Sequence, residues 1–250
     1  MAEPLRTFQG RPGTIGTRAD AGIDAGLRAY MLKVYNLMAL GLAITGLAAW
    51  GAFNAAVTPT GELTQFGQLI YASAFRWVVI LAPLAMVFFL SFRINRMSVA
   101  AAQTTFWVYA GLVGLSLSTI FLVYTGTSIV RTFFITASAF GALSLYGYTT
   151  RRDLTAMGSF LIMGVFGIII AMVVNIFLQS SALQFAISAI GVLVFAGLTA
   201  YDTQKIKEMY FEGDDVLVAG RKAIMGALTL YLDFINLFMF MLQFLGSNKE

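Results

Sequence analysis

Two aspartates, Asp202 and Asp233, are the residues whose positions point most directly to chemistry. The chain has 12 acidic residues, and the others lie in polar segments or close to a terminus. Asp233 instead has a turn or more of apolar residues on both sides, and Asp202 ends the preceding apolar run. An ionisable side chain at membrane depth is costly and by default marks a functional site. Asp233 therefore has to face the interior of a helix bundle, where it needs a partner or a proton.

The two aspartates can meet, because the last two apolar runs are consecutive and would pack as antiparallel helices. Two carboxyl groups in contact away from water hold one proton between them near neutral pH. With that proton the pair is a hydrogen-bonded latch between helices. Without it, the pair repels itself and offers hard oxygen ligands that suit Ca²⁺. A pore gated by such a switch would respond to both pH and calcium.

A plainer interpretation of the same residues stays open at this point. Asp202 would cap or solvate a helix end, and Asp233 would hydrogen-bond to a nearby hydroxyl or amide. No Lys or Arg lies at a comparable depth in another apolar run. The nearest basic candidates are Arg93 and Arg96, at the end of the second run.

Composition excludes most other chemistry. The chain has no Cys and no His, which rules out disulfides, thiolate nucleophiles, Cys-based zinc sites, Ser-His hydrolases and His-containing zinc peptidases. Hydrophobic residues make up 59% and charged residues 11% of the 250 residues, and the mean hydropathy is +0.81. A soluble domain of this size cannot bury so much apolar surface, so we predict an integral membrane protein and not an enzyme.

Seven apolar segments are long enough to cross a bilayer as helices, which takes about 20 residues each. Their continuously apolar character excludes the alternating strands of a porin. We therefore predict an all-α, polytopic membrane protein with antiparallel neighbouring helices. The segments cover residues 31–53, 74–92, 99–122, 128–149, 155–178, 183–202 and 223–245.

The charges predict domain organisation and orientation. Residues 1–29, rich in glycine and charge, are expected to form a flexible cytoplasmic tail before a membrane domain at residues 30–250. All but three of the 16 Lys and Arg residues lie on the side of that tail; the exceptions are Arg76, Arg131 and Lys249. The positive-inside rule then places the N-terminus in the cytoplasm and the C-terminus outside. Membrane topology and attraction to anionic lipid explain the net positive charge of the chain, so no nucleic-acid partner is expected.

Two stretches of sequence resemble the Bax inhibitor-1 family, also called the transmembrane Bax inhibitor motif family, and in particular its bacterial members. The likeness covers about residues 30–246, with the seven-span layout agreeing throughout. The turn at residues 91–98 is also similar to many bacterial members. The stretches are Tyr201-Asp202-Thr203-Gln204-Lys205-Ile206-Lys207 and Leu230-Tyr231-Leu232-Asp233-Phe234-Ile235-Asn236-Leu237-Phe238.

The resemblance implies a six-helix bundle around a central seventh helix, in a bacterial inner membrane. It implies that Asp202 and Asp233 form a proton-sharing dyad in a pH-sensitive calcium leak pathway, with Arg93 or Arg96 as a latch partner. The two aspartates are then tentative ligands for Ca²⁺ as the transported or regulatory ion, and no other cofactor is implied. The supporting residues of the two motifs are expected to be Tyr201, Gln204 and Asn236.

Other bacterial members are associated with modulating a membrane-bound AAA protease, partly through the N-terminal tail. The alternative function is therefore that of a modulator or partner of such a quality-control protease, without ion transport. Two departures from the family pattern stand out. The loop before the seventh helix is long and acidic, and the chain lacks the basic C-terminal tail of some eukaryotic members, which puts tail-based pH sensing in doubt.

Two further classes use charged residues within the membrane. An intramembrane aspartyl protease also carries a Tyr-Asp pair, as at Tyr201 and Asp202, but needs small glycines beside its second aspartate. Asp233 has the bulky Leu232 and Phe234 as neighbours instead. A retinal protein needs a lysine buried in a late span, whereas Lys222 precedes the seventh.

Overall fold

The computed structural model describes residues 15–249, with side chains described from residue 25 onward. Within this part of the chain, seven helices are long and apolar enough to cross a membrane. Each overlaps one of the predicted segments, so the prediction of an all-α, polytopic membrane protein is confirmed; α2 begins two residues after its segment and α3 ends five residues before the end of its segment. The helices are α1 (Ile15–Ala56), α2 (Arg76–Arg93), α3 (Val99–Leu117), α4 (Gly126–Thr149), α5 (Thr155–Leu178), α6 (Ser181–Glu208) and α7 (Val216–Leu245).

The short connections between these helices carry their own turns. Residues Gln65–Gly67 form a single α-helical turn and Gln68–Ala72 a π-helical turn before α2. A 3₁₀ turn at Ile94–Arg96 joins α2 to α3, and a short helix at Ile120–Val123 follows α3.

Hydroxyl side chains set the beginnings of three membrane helices. Ser98, Thr125 and Ser180 each accept a hydrogen bond from a backbone N–H in the first turn of α3, α4 and α6. Such caps satisfy donors that the helix itself leaves without partners. The sequence therefore ends one span and begins the next within a few residues.

Helix α1 extends into the segment that was expected to form a tail. Helix α1 begins at Ile15, so residues 15–29 are helical and continuous with the first span. Adding residues to an existing helix is far easier than nucleating one, and the apolar segment that follows supplies the nucleus. The remainder of the predicted tail, residues 1–14, lies outside the described residues.

The connection between α6 and α7 is also shorter than predicted. The apolar segments end at 202 and resume at 223, but α6 continues to Glu208 and α7 begins at Val216. Asp215 caps α7 by accepting a hydrogen bond of 2.7 Å from the Val218 N–H. The Lys222 ammonium group bonds to Asp214 at 2.6 Å and to the Met209 carbonyl at 3.0 Å. Polar residues that suggested a loop thus form anchored helix ends.

Helix α7 lies at the centre of the bundle, as predicted. It packs against α1, α3, α4 and α6. In its most apolar stretch 61% of residues are buried, compared with 11% in α5. The Tyr231 ring meets Phe106 and Tyr109 of α3 edge to face, with ring centres 5.6 and 5.7 Å apart. These aromatic contacts fix α7 against α3 in the middle of the bundle.

The C-terminal end of α7 is fastened by backbone hydrogen bonds. The Thr125 N–H donates to the Ser247 carbonyl at 3.1 Å, and the Lys249 N–H donates to the Val123 carbonyl at 2.8 Å. The Lys249 ammonium group also lies 5.1 Å from the centre of the Phe53 ring. The last described residues therefore join α7 to the connection between α3 and α4 and to the end of α1.

Glycine allows α4 and α6 to approach closely at one point. A Cβ atom added at Gly147 would collide with the carbonyl oxygen of Ala200, a backbone atom that cannot rotate away. Ala200 comes two residues before Asp202, so this contact also helps to position α6 at the level of that aspartate. Small residues allow this kind of helix contact in membranes.

Replacing Gly147 with alanine should therefore separate α4 from α6. We expect a loss of about 1–3 kcal/mol of stability, the usual cost of overpacking, measured as a lower melting temperature of the detergent-purified protein. Gly141→Ala is the matched control on the same helix, because its Cβ would meet no atom within 4 Å. Equal melting temperatures for the two variants would contradict this account of the contact.

Candidate functional site

Asp233 lies on the buried side of α7. Its side chain is 5% exposed, and the neighbouring residues Tyr231 and Phe234 are buried as well. Among the described residues, its Oδ2 atom has no hydrogen-bond partner. A buried oxygen without a partner is unfavourable, which makes Asp233 the most conspicuous polar group of the bundle.

Asp202 of α6 faces Asp233. The two carboxyl groups lie within hydrogen-bonding reach of each other, in the interface between the last two helices. Asp202 is the less deeply buried of the two. The structure thus brings together the two aspartates that the sequence singled out.

The pair can form a hydrogen bond only if one carboxyl group carries a proton. An ionised carboxylate is an acceptor alone, whereas a protonated one supplies an O–H donor. Two ionised carboxylates at this separation would repel each other strongly in a medium of low dielectric constant. The geometry is suited to a shared proton, and the sharing itself stays a prediction.

Lys205 is the basic residue nearest to the pair. It lies one turn further along α6, where its ammonium group is close enough to interact with the Asp202 carboxyl group. It also lies 5.8 Å from the centre of the Tyr201 ring. We did not predict this contact from the sequence, although a spacing of three residues from Asp202 on one helix is a recognisable signal.

The two arginines predicted as latch partners do not contact the dyad in this structure. Arg93 and Arg96 are exposed, and the ion pairs of the described residues include neither. The turn that contains them touches α7 elsewhere, through a 2.8 Å hydrogen bond from Arg221 Nε to the Met97 carbonyl. Arg221 is 12 residues before Asp233 in the same helix, or about 18 Å at 1.5 Å per residue. The latch stays a prediction, and it requires this turn to move towards the aspartates.

The three supporting residues make contacts away from the carboxyl pair. Gln204 accepts a hydrogen bond from the Leu154 N–H at 2.9 Å and donates to the Arg152 carbonyl at 2.8 Å. Asn236 donates to the Leu232 carbonyl of its own helix at 2.8 Å. A side chain at Gly158 would collide with the Tyr201 ring, so Tyr201 packs closely against α5. Gln204 and Tyr201 therefore hold α6 against its neighbours.

A chain of hydroxyl groups next to Asp202 was not predicted. The Thr203 hydroxyl donates its one proton to the Thr199 carbonyl at 2.7 Å. It therefore accepts the hydrogen bond from the Ser144 hydroxyl at 2.9 Å. Ser144 in turn accepts from the Tyr35 hydroxyl at 2.6 Å. The chain links α1, α4 and α6. Single hydroxyl residues in apolar runs give no sign in the sequence of which distant residue they will meet.

A second hydroxyl contact lies deeper in the bundle. Tyr231 bonds to Thr45 of α1 at 2.6 Å, and the Thr45 hydroxyl also lies 2.9 Å from the Ala110 carbonyl of α3. The contact joins three helices two residues before Asp233. It fixes the rotation of α7 that turns Asp233 towards α6.

The two carboxyl groups supply few ligands for a permanently bound calcium ion. Over the described residues, no group of three or more Asp or Glu side chains is placed to hold a metal. Ca²⁺ takes six to eight oxygen ligands, of which two aspartates supply a minority. A calcium ion bound here would take most of its ligands from water or backbone oxygens.

Comparisons with known proteins agree with this fold. The family model described as Inhibitor of apoptosis-promoting Bax1 matches residues 27–250. An uncharacterised protein of Rickettsia prowazekii is 52% identical over 94% of this chain and 96% of its own length. An uncharacterised protein of Caulobacter vibrioides is 47% identical over 93% and 94%. The inner membrane protein YbhL of Escherichia coli is 46% identical over 90% and 94%.

The match covers nearly all of the seven-helix domain, including both aspartates. The similar proteins are also nearly the same length as the aligned region, so the likeness is not that of one shared segment. The chain belongs to the Bax inhibitor-1 family.

Proposed function

We propose that this protein is a pH-sensitive leak pathway for calcium in the bacterial inner membrane, gated by Asp202 and Asp233. The observation that carries the proposal is the contact between the two carboxyl groups, with one buried oxygen left without a partner. The membrane assignment is supported by the seven apolar helices and by the relative YbhL, an inner membrane protein.

The gate works through the charge of the pair. With one shared proton, the carboxyl groups attract each other and hold α6 against α7. When the proton leaves, two negative charges remain in contact and repel each other. A calcium ion can replace the proton, because carboxylate oxygens are ligands that it prefers. Either event loosens the contact between the two helices.

Lys205 lies on the side of Asp202, one turn further along α6. Its ammonium group is close enough to interact with that more exposed member of the pair. In the closed state the two carboxyl groups share one proton and titrate as a unit.

The orientation belongs to the same proposal. The excess of Lys and Arg at one end of the bundle places the N-terminus and the α6–α7 connection in the cytoplasm. Asp202 then lies six residues before the cytoplasmic end of α6 at Glu208, so the pair would respond to cytoplasmic pH through that side. Arg93 or Arg96 would hold the closed state after the α2–α3 turn moves towards the pair.

Asparagine at either position removes the switch. Asp202→Asn and Asp233→Asn keep the size of the side chain but cannot lose a proton. For liposomes that contain the wild-type protein we expect calcium flux to be several-fold higher at about pH 8 than at about pH 6. For each variant we expect the ratio of these two fluxes to fall to about one. The measurement is calcium entry, followed with a trapped fluorescent indicator at known protein orientation.

Asp153→Asn is the matched control. The hydrogen bonds from Thr155, including one from its N–H at 2.8 Å, lower the pKa of Asp153 below the usual value for an aspartate. Asp153 therefore stays ionised throughout the tested range, and its replacement should leave the pH dependence intact. If both dyad variants kept the wild-type pH dependence, the pair would not be the gate.

The alternative function, modulation of a membrane-bound AAA protease without ion transport, has its support in the charged N-terminal segment. A protein lacking residues 2–14 separates the two functions, because the deletion ends before α1 begins at Ile15. For a leak pathway we expect calcium flux in liposomes to remain within about twofold of wild type, since no membrane helix is shortened. The modulator would be favoured by two results together: neither the full-length protein nor the deletion variant supports calcium flux, and the deletion abolishes an effect on the protease.

A further inference from the structure

A cavity of about 610 Å³ separates α1 from α4. Its walls are mainly apolar, and it lies in the half of the bundle that contains the start of α1 and the end of α4. The residues that matter for its chemistry are Arg28, Tyr35, Met38, Gly141, Ser144 and Tyr148.

The depth of this cavity matches one leaflet of a bilayer. From Arg28 to Met38 the helix rises ten residues, or about 15 Å, which is half of a hydrocarbon core of about 30 Å. A second cavity of about 670 Å³ continues between the same helices along residues 39–49, and no charged residue lines it. The first cavity alone combines an apolar interior with a charge at its end.

Gly141 keeps the cavity open. A Cβ atom at this position would meet no atom within 4 Å, whereas one at Gly147 of the same helix would collide with α6. The usual reason for glycine in a membrane helix, close approach of a neighbour, therefore does not apply at Gly141. The absent side chain leaves space beside α1.

Two polar side chains of the wall, Tyr35 and Ser144, are already paired. The Tyr35 hydroxyl donates to Ser144, which donates to Thr203, so neither donor is left for water or an ion in the cavity. Arg28 is exposed, and the hydrogen bonds of the described side chains do not include it. An apolar wall with an exposed guanidinium at its end suits a molecule with an apolar chain and an anionic head.

A second positive charge lies at the same end of the cavity. The Lys207 ammonium group donates to the Tyr148 carbonyl at 2.9 Å and lies 5.5 Å from the centre of the Tyr148 ring. A guanidinium group can bind a phosphate through two parallel N–H···O hydrogen bonds. Basic groups at a membrane surface also attract anionic lipids. The charge at this end therefore complements a phospholipid headgroup.

We propose that this cavity is a binding site for an anionic phospholipid. An acyl chain lies between α1 and α4, along Met38 and Gly141, and the phosphate binds Arg28. The site holds α1 and α4 at their observed separation, because the chain fills the space that protein side chains leave empty. This lipid site does not depend on the proposed gate.

The test uses the full-length protein, purified in mild detergent and supplied with phosphatidylglycerol or phosphatidylcholine. Native mass spectrometry then measures how much of each lipid stays bound. We expect wild type to retain phosphatidylglycerol preferentially. Arg28→Gln should reduce that retention about fivefold, the loss expected for one basic contact at a membrane surface. Gly141→Leu should abolish it by filling the cavity.

Three matched variants serve as controls. Lys33→Gln removes an exposed charge of α1 that does not line the cavity, Gly46→Leu fills the second cavity, and Gly167→Leu adds the same side chain on the surface of α5. All three should retain phosphatidylglycerol as wild type does. Equal retention of both lipids, or retention unaffected by Arg28→Gln and Gly141→Leu, would overturn the proposal.

Discussion

The structure depends on one constraint: a carboxyl group inside an apolar bundle has no favourable state by itself. Asp233 is buried at the centre of the molecule, where an isolated charge would be very costly. Among the described residues it meets a second acid, and Lys205, which is close enough to interact with the pair, lies on the side of Asp202. Two carboxyl groups in contact tolerate at most one negative charge comfortably, which is the basis of the proposed response of the α6–α7 contact to protons.

The rest of the bundle is arranged around that contact. The aromatic cluster at Tyr231, and its hydroxyl bond to Thr45, fix the rotation of α7 so that Asp233 points at α6. On the other side, Gly147 and Gln204 hold α6 against α4 and against the turn before α5. These contacts are neutral and insensitive to pH, and they confine the effect of a proton to one helix interface.

Much of this architecture could be predicted from the sequence, because the bilayer imposes strong rules. Seven apolar runs gave seven helices, and the isolation of Asp233 within an apolar run identified it as a site. The errors came where polar residues lie in helices outside the apolar core. Residues 203–208 and 216–222 looked like a loop by composition, yet capping by Asp215 and the hydrogen bonds of Lys222 extend α6 and α7 into this stretch. Contacts such as Ser144 with Thr203 depend on how distant helices face each other, which no local pattern encodes.

The backbone bonds between residues 247–249 and the α3–α4 connection give α7 a fixed point at its C-terminal end. Asp233 is 12 residues from Leu245 and Arg221 is 24 residues from it, so the two lie about 18 and 36 Å from that point. The helix therefore has the geometry of a lever: a tilt that parted the carboxyl groups would displace Arg221 twice as far. Because Arg221 is bonded to the turn between α2 and α3, that turn is where the larger displacement would arrive.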